Sequence, residues 1–299
     1  MTEGSLIKEI NRIFYDIDSC CYDKEHPEIL SGDYTWWQSF AVNRLQLTNS
    51  ESVIRVLDVG SGTGFIADLL TDYLSFNVEI VCYDLSQKML DVAREKIKRK
   101  GKIKSKVFYV NGEAEVLPFK DQSFDVITCN SVLHHLSDCS KLLSEVKRVL
   151  KANGLFAVSH EHNSDFFKFW PLRLLASIYK TLGAGFRIDS NNQDEVNRRL
   201  KAKGLIDKSL TEEQIMKLVE WNSPVEQSRF SINPDKGFSP KKFIDLYFKD
   251  YDLLELSEYS TFFHRPFLEK NRYVQTVLKF INRSLFKNRG VLFRFIVKK

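Results

Sequence analysis

The chain has 299 residues, of which 43% are hydrophobic, and a formal net charge of +5. This length and hydrophobic content support a sizeable core, either in one large α/β domain with an insertion or in two smaller domains. No apolar run reaches the roughly 20 residues that a membrane span needs, and the charged N-terminus lacks a signal-peptide core. The five cysteines lack metal-ligand spacing, so we expect reduced thiols and a cytoplasmic location.

Residues 1–50 are predicted to form a helical cap ahead of the first strand. Trp36, Trp37 and Phe40 fall on one helical face, at spacings typical of a helix that buries one side. This face either packs in the core or lines a substrate cavity. For the second alternative, Trp36 and Trp37 are the pocket candidates.

A strand, a tight glycine loop and a helix are predicted over residues 53–70. The strand ends near Asp58, and Gly60, Gly62 and Gly64 follow at alternate positions. Glycines in such a loop let the backbone turn sharply and approach a ligand, because no Cβ intervenes. The dinucleotide spacing G-x-G-x-x-G would need a third glycine at Phe65, and no Lys-Ser/Thr pair follows as in a P-loop.

The second predicted strand, residues 78–83, leads into Asp84. In a doubly wound sheet a carboxylate at this place lies beside the glycine loop, where it can accept both hydroxyls of a ribose. Capping the next helix is the alternative role for Asp84, although Ser86 can supply that cap.

Three further predicted strands carry polar motifs at their ends. Residues 106–110 precede Gly112-Glu113-Ala114-Glu115-Val116-Leu117-Pro118-Phe119, residues 123–130 precede Val132-Leu133-His134-His135-Leu136, and residues 155–159 precede His160-Glu161-His162. The strands alternate with predicted helices, so we expect a mostly parallel sheet.

Residues 53–161 resemble the class I S-adenosylmethionine (SAM)-dependent methyltransferases, in the branch with a His-His pair after strand four. The loop from Asp58 to Gly64 is similar to the first motif of that family, and residues 112–119 are similar to G-D-A-E-x-L-P-F, with Glu113 replacing Asp. The resemblance implies an α/β fold with a doubly wound, seven-stranded Rossmann-like sheet of order 3-2-1-4-5-7-6, strand 7 antiparallel. It also implies a SAM-binding core at 51–161 that leaves S-adenosylhomocysteine as its product.

The same resemblance implies a cofactor site built from the glycine loop, the acid of strand two and the residues after strands three and four. An aromatic residue of the N-terminal segment covers the cofactor in that family, and the acid of the third motif meets the adenine amino group. The residues concerned are Asp58, Gly60, Ser61, Gly62, Gly64, Asp84, Leu85, Met89, Glu113, Ala114, Asn130 and Tyr22.

Four histidines follow strands four and five, which are neighbours in the implied sheet order. His135 or His160 could be the general base that takes a proton from the acceptor. The histidines could instead only shape the pocket, to which we assign His134 and His162. A metal site from His134, His160, Glu161 and His162 is a weaker alternative because no helical histidine spacing supports it, and we predict no metal.

The rest of the chain extends the minimal fold. We predict that residues 162–237 form a helical lid over the carboxyl edge of the sheet, with Phe166 and Trp170 in the substrate pocket. The alternative is a packing domain or a dimer interface. Residues 238–299 are predicted to complete the sheet, with a basic helix at about 268–286 before the last strand, and such a segment can attract RNA or anionic lipid.

The leading hypothesis is methyl transfer from SAM to a small, partly hydrophobic acceptor, by O- or C-methylation. No Asn/Asp-Pro-Pro-Tyr/Phe tetrapeptide follows strand four, so the amino-methylating branches are disfavoured. One alternative acceptor is RNA, since the His-His stretch also resembles tRNA wobble-uridine methyltransferases. Another alternative is a SAM-binding partner subunit without turnover.

Overall fold

Seven strands form one mixed sheet in the computed structural model of the chain. The structure describes residues 3–26, 33–45, 53–74, 77–101, 103–168, 190–226, 231–233, 235–259 and 290–299. The strands are β1 (Ile54–Val59), β2 (Val78–Asp84), β3 (Lys106–Asn111), β4 (Phe124–Asn130), β5 (Leu150–His162), β6 (Asp252–Tyr259) and β7 (Leu292–Lys298).

The order of the strands in the sheet is β3-β2-β1-β4-β5-β7-β6. Strands β1 to β5 pair in parallel, whereas β7 runs antiparallel to both β5 and β6. The doubly wound, seven-stranded order predicted from the sequence is therefore confirmed. Strand β5 is longer than predicted, because it begins directly after the preceding helix and continues through His162.

Helices cover the sheet and extend it at the N-terminus and within the insertion. Their bounds are α1 (Glu3–Asp18), α2 (Tyr22–Glu25), α3 (Tyr34–Phe40), α4 (Phe65–Tyr73), α5 (Gln87–Arg99), α6 (Cys139–Val149), α7 (Ser164–Phe167), α8 (Ser190–Ala202), α9 (Glu212–Val219) and α10 (Pro240–Tyr247). Among the residues described, no helix has the length and apolar character that crossing a membrane requires. The predicted basic helix at 268–286 lies outside the described residues.

Two apolar layers hold the sheet, one on each face. Alternate side chains of the central strands point to opposite faces, so Leu57 and Val59 belong to one layer and Val56 to the other. The runs of Val, Ile and Leu in β1, β2 and β4 fit strands that are covered on both sides. This packing fixes the carboxyl ends of β1, β2 and β4 side by side, with the glycine loop at their centre.

A third apolar cluster joins the N-terminal cap to the insertion. Three residues of α1, Ile10, Ile13 and Phe14, pack against Val196 and Leu200 of α8 and against Ile215, Met216 and Val219 of α9. Helix α1 thus has its apolar face buried by the insertion. This contact positions α1 across the carboxyl edge of the sheet.

Candidate functional site: a cleft at the carboxyl edge of the sheet

A cleft of about 870 Å³, counting the part open to solvent, lies at the carboxyl ends of β1, β2 and β4. Helix α1 forms its opposite wall. Of the predicted cofactor residues, those that line the cleft are Tyr22, Gly60, Gly62, Asp84, Leu85, Met89, Glu113, Ala114 and Asn130. Asp58, Ser61 and Gly64 belong to the same loop region but do not line the cleft.

The three loop glycines have different physical roles, although all have positive φ. A Cβ on Gly60 would lie 2.3 Å from a γ-carbon of Val132, and one on Gly64 would lie 2.8 Å from the Cβ of Ala93. These two glycines therefore allow close packing of the loop. A Cβ on Gly62 would have no atom of the described residues within 4 Å, so the backbone there is open to the cleft. This open backbone suits a ligand that lies directly on the loop.

Asp84 connects the end of β2 to both the glycine loop and the next helix. One carboxylate oxygen accepts the N–H of Gly62 at 2.8 Å, and the other accepts the N–H of Ser86 at 2.8 Å. Burial raises the pKa of Asp84, and these two backbone hydrogen bonds oppose the rise. Ser86 caps α5 by accepting the N–H of Met89, so Asp84 is not the cap and remains in the cleft wall.

Asp58 is buried below the loop rather than in the cleft. It is 1% exposed, and one of its carboxylate oxygens accepts the hydroxyl of Thr128 at 2.7 Å. The other oxygen is buried and has no hydrogen-bond partner among the residues that the structure describes. Burial raises the pKa of Asp58 to about 7. In this structure Asp58 therefore supports the loop from beneath.

A lysine of α1 ties the cap to the far side of the cleft. The Lys8 ammonium lies 2.6 Å from a carboxylate oxygen of Glu113 and 2.8 Å from one of Glu115. Glu113 therefore already has a charged partner at the place where the resemblance implies an adenine contact. Burial alone would lower the pKa of Lys8, but hydrogen bonds and charge from the two glutamates raise it overall. Sequence reasoning missed Lys8 because nothing local marks its distant partners.

The two tryptophans of α3 are core residues. Trp37 is fully buried, and its indole N–H donates to the side-chain oxygen of Asn130 at 3.0 Å. Trp36 is 8% exposed and donates to Glu255 at 2.7 Å. Neither lines the cleft, although Trp37 orients Asn130, which does. Of the two alternatives for this helical face, the structure thus shows packing in the core.

His135 lines the cleft and has a defined tautomer. Its Nδ1 lies 2.8 Å from the carbonyl oxygen of Val219, which can only accept, so Nδ1 carries the proton. Its Nε2 therefore offers a lone pair, which accepts the hydroxyl of Tyr15 at 3.1 Å. Tyr15 also lines the cleft. Of the two predicted bases, His135 lines this cleft.

His160 is held elsewhere, by a buried carboxylate of the N-terminal cap. Its Nδ1 lies 2.7 Å from Asp33, which is fully buried and also accepts the hydroxyls of Ser159 and Tyr259. Burial alone would raise the pKa of Asp33, but His160 and these hydroxyls lower it overall. His160 does not line the cleft, so the structure does not bring the two candidate bases together.

His134, His162 and Phe166 lie away from the cleft, behind the turn that carries His135. His134 is 2% exposed and Phe166 is 2% exposed. Glu161 is fully buried and accepts the backbone N–H groups of Val132 and Leu133, each at 2.8 Å. Glu161 therefore fixes the turn after β4. Trp170, the remaining pocket candidate, lies outside the described residues.

Comparison with known proteins finds matches to methyltransferases. The profile of a family described as a methyltransferase domain matches residues 57–158. A relative described as an uncharacterized methyltransferase, YcgJ of Bacillus subtilis (strain 168), is 42% identical over 102 residues, which are 34% of this chain and 38% of that protein. The ubiquinone/menaquinone biosynthesis C-methyltransferase UbiE of Xanthomonas axonopodis pv. citri (strain 306) is 35% identical over 149 residues, which are 49% of this chain and 57% of that protein.

A solved structure described as a SAM-dependent methyltransferase from Methanosarcina mazei is 17% identical, with a TM-score of 0.49 and coverage of 86% of this chain and 97% of that one. The chain contains a class I SAM-dependent methyltransferase domain, and SAM is the cofactor of that class. The alignments with YcgJ and UbiE span less than two thirds of either relative, so they describe the domain and not the whole chain.

Proposed function

We propose that the chain transfers a methyl group from SAM to a small, partly hydrophobic acceptor in the cleft beneath α1. The observation that carries this proposal is the open backbone at Gly62 beside the carboxylate of Asp84, at the carboxyl edge of a doubly wound sheet. Asp84 would accept the ribose hydroxyls, and the residues after β3 would hold the adenine. SAM supplies an electrophilic methyl group on a sulfonium, and the chain supplies the positions of both reactants.

The acceptor proposed is an aromatic ring with an acidic hydroxyl, methylated on carbon. Apolar and aromatic side chains, including Ile7, Tyr15, Tyr22 and Leu136, face the cleft and suit such a ring. The name of the relative UbiE supports a carbon acceptor of the quinone class. Displacement at the methyl group requires the acceptor atom to be held about 3 Å from the methyl carbon, with water excluded. Helix α1, which forms the opposite wall of the cleft, would hold the acceptor there and exclude the water.

His135 is proposed as the base. Its Nε2 lone pair faces the cleft, and a hydroxyl of the acceptor that displaced the Tyr15 hydroxyl would meet that lone pair directly. As the new carbon–methyl bond forms and the bond from the sulfonium to the methyl group breaks, the hydroxyl proton of the acceptor would pass to Nε2. The carbonyl of Val219 then stabilises the resulting positive charge at Nδ1–H. Loss of the hydrogen of the methylated ring carbon as a proton, with return of a proton to the oxygen, would then restore the aromatic ring.

The proposal is tested first by cofactor binding. We expect Asp84→Asn to weaken the binding of SAM by about tenfold or more, because a charge-assisted hydrogen bond to the ribose is lost. Isothermal titration calorimetry measures the affinity, and the matched control is Asp91→Asn, whose carboxylate pairs with Arg94 on the outer side of α5. An unchanged affinity in Asp84→Asn would remove the ribose contact from Asp84.

The transfer itself is tested with radiolabelled SAM and a panel of hydroquinones and phenols. We expect label in the organic product, on carbon by mass spectrometry, and loss of label with His135→Ala. Protein that binds SAM tightly yet labels none of these acceptors would contradict the acceptor class.

A further inference from the structure

Three metal-ligating side chains from three separate segments meet behind the turn that carries His135. His134 comes from the turn after β4, His162 from the end of β5, and Glu220 from the residue after α9. Each offers a ligand-type atom, and these atoms all lie within 4.8 Å of one another. The Nε2 of His134 is 3.5 Å from a carboxylate oxygen of Glu220.

Two atoms of this cluster are buried and have no hydrogen-bond partner within the described part of the chain. They are the Nδ1 of His162 and the Oε2 of Glu220, the same oxygen that faces His134 at 3.5 Å. Burying a polar atom without a partner is unfavourable, because its hydrogen bonds to water are lost and not replaced. A bound ion would satisfy both atoms at once, since each presents a lone pair.

A buried carboxylate orients the first of the two imidazoles. The Nδ1 of His134 lies 2.9 Å from the Oε2 of Glu161, and the same oxygen accepts the backbone N–H of His134 at 3.2 Å, so it is an acceptor here. The proton thus sits on Nδ1, and the lone pair of Nε2 is directed toward Glu220. Histidine ligands of metals commonly donate their second N–H to a carboxylate in this way.

We propose that His134, His162 and Glu220 form a binding site for one divalent transition-metal ion of the zinc class. Two imidazoles and one carboxylate are a ligand set found in zinc sites that keep an open position. Calcium and magnesium prefer oxygen ligands, so they are disfavoured. Donor atoms around a tetrahedral ion with bonds of about 2.1 Å are separated by about 3.4 Å, close to the His134–Glu220 distance.

The ion would lie next to the cleft. The rings of His134 and His135 are 4.1 Å apart between centroids, and His135 lines the cleft. The open coordination position is free to take a water molecule or an oxygen of a bound molecule. The site rests on side chains that the proposed methyl transfer does not use, so either proposal can fail while the other stands.

The test is titration of zinc(II) into the full chain after chelator treatment. Cys20→Ser/Cys21→Ser serves as the background, because these thiols are exposed or half-buried and lie 3.4 Å apart, where they could bind zinc themselves. We expect one ion per chain by calorimetry. Cobalt(II) in its place should give the visible absorption of a tetrahedral ion.

Two variants and one control locate the ion. His162→Ala and Glu220→Gln should each weaken zinc binding by about tenfold or more, and His26→Ala, which removes an imidazole elsewhere, should not. Thermal unfolding without zinc confirms that each variant is folded, and zinc should raise the Tm of the background protein but not of His162→Ala. No binding to the background protein, or equal affinity in the background and His162→Ala, would overturn the proposal.

Discussion

The buried carboxyl of Asp58 should make the stability of the SAM-free protein depend on pH. Burial raises its pKa from 3.8 to about 7, so the folded state holds a proton that the unfolded state releases. The contribution of Asp58 to the free energy of unfolding is therefore fully present below the pKa of the unfolded state. It falls as the pH rises toward the pKa of the folded state, and above that pKa the loss is constant. Each pH unit between the two costs about 1.4 kcal/mol, so the full loss is about 4 kcal/mol.

The variant Asp58→Asn removes this titration while keeping the shape of the side chain. Urea unfolding at about pH 5 and about pH 8 gives the free energies of unfolding of both proteins. The free energy of unfolding of Asp58→Asn, minus that of the natural chain, should be about 2.5 kcal/mol larger at the higher pH than at the lower pH. Thr128→Val removes the hydrogen bond that lowers this pKa, so it should increase the pH dependence. Equal pH dependence in the natural chain and Asp58→Asn would refute the reasoning.

Two further predictions concern the cleft. Gly62→Ala and Gly204→Ala each place an alanine at positive φ where no described atom lies within 4 Å, so each variant should lose about 1 kcal/mol of stability. Only Gly62→Ala should weaken SAM binding, by about tenfold or more. Equal SAM affinity in the two variants would show that Gly62 does not meet the cofactor. Tyr15→Phe keeps the ring and removes the hydroxyl that is hydrogen-bonded to His135. We therefore expect kcat to change while the SAM affinity measured by calorimetry stays within about twofold. A parallel loss of SAM affinity would make Tyr15 a cofactor ligand instead.

The sheet and the cleft were accessible from the sequence because their signals are local. Glycines at alternate positions, an acid at the end of each of the first two strands and apolar runs of strand length all act within a few residues of one another. The structure places Gly60, Gly62 and Asp84 in one cleft wall, and that these residues bind a cofactor stays a prediction. The strand order followed from the family resemblance, and it is the order observed.

The roles of individual side chains were less accessible because they depend on distant partners. Asp58 lies one residue before the end of β1 and Asp84 ends β2, yet the Asp58 carboxylate is turned below the loop, against Thr128. His160 and His162 are two residues apart, but one meets Asp33 from the N-terminal cap and the other meets His134. Spacing along β5 could not distinguish these environments, since each is created by a segment far away in the chain.

The carbonyl of Val219 determines which ring nitrogen of His135 faces the cleft, and Val219 ends a helix that the methyltransferase-domain profile does not include. The tautomer of this histidine, which lies within the matched residues, is therefore fixed by a part of the chain outside them. Residues 57–158 alone would keep the glycine loop but would lose the carbonyl that holds this imidazole in place. A transferable unit made from this chain would therefore have to include α9 as well.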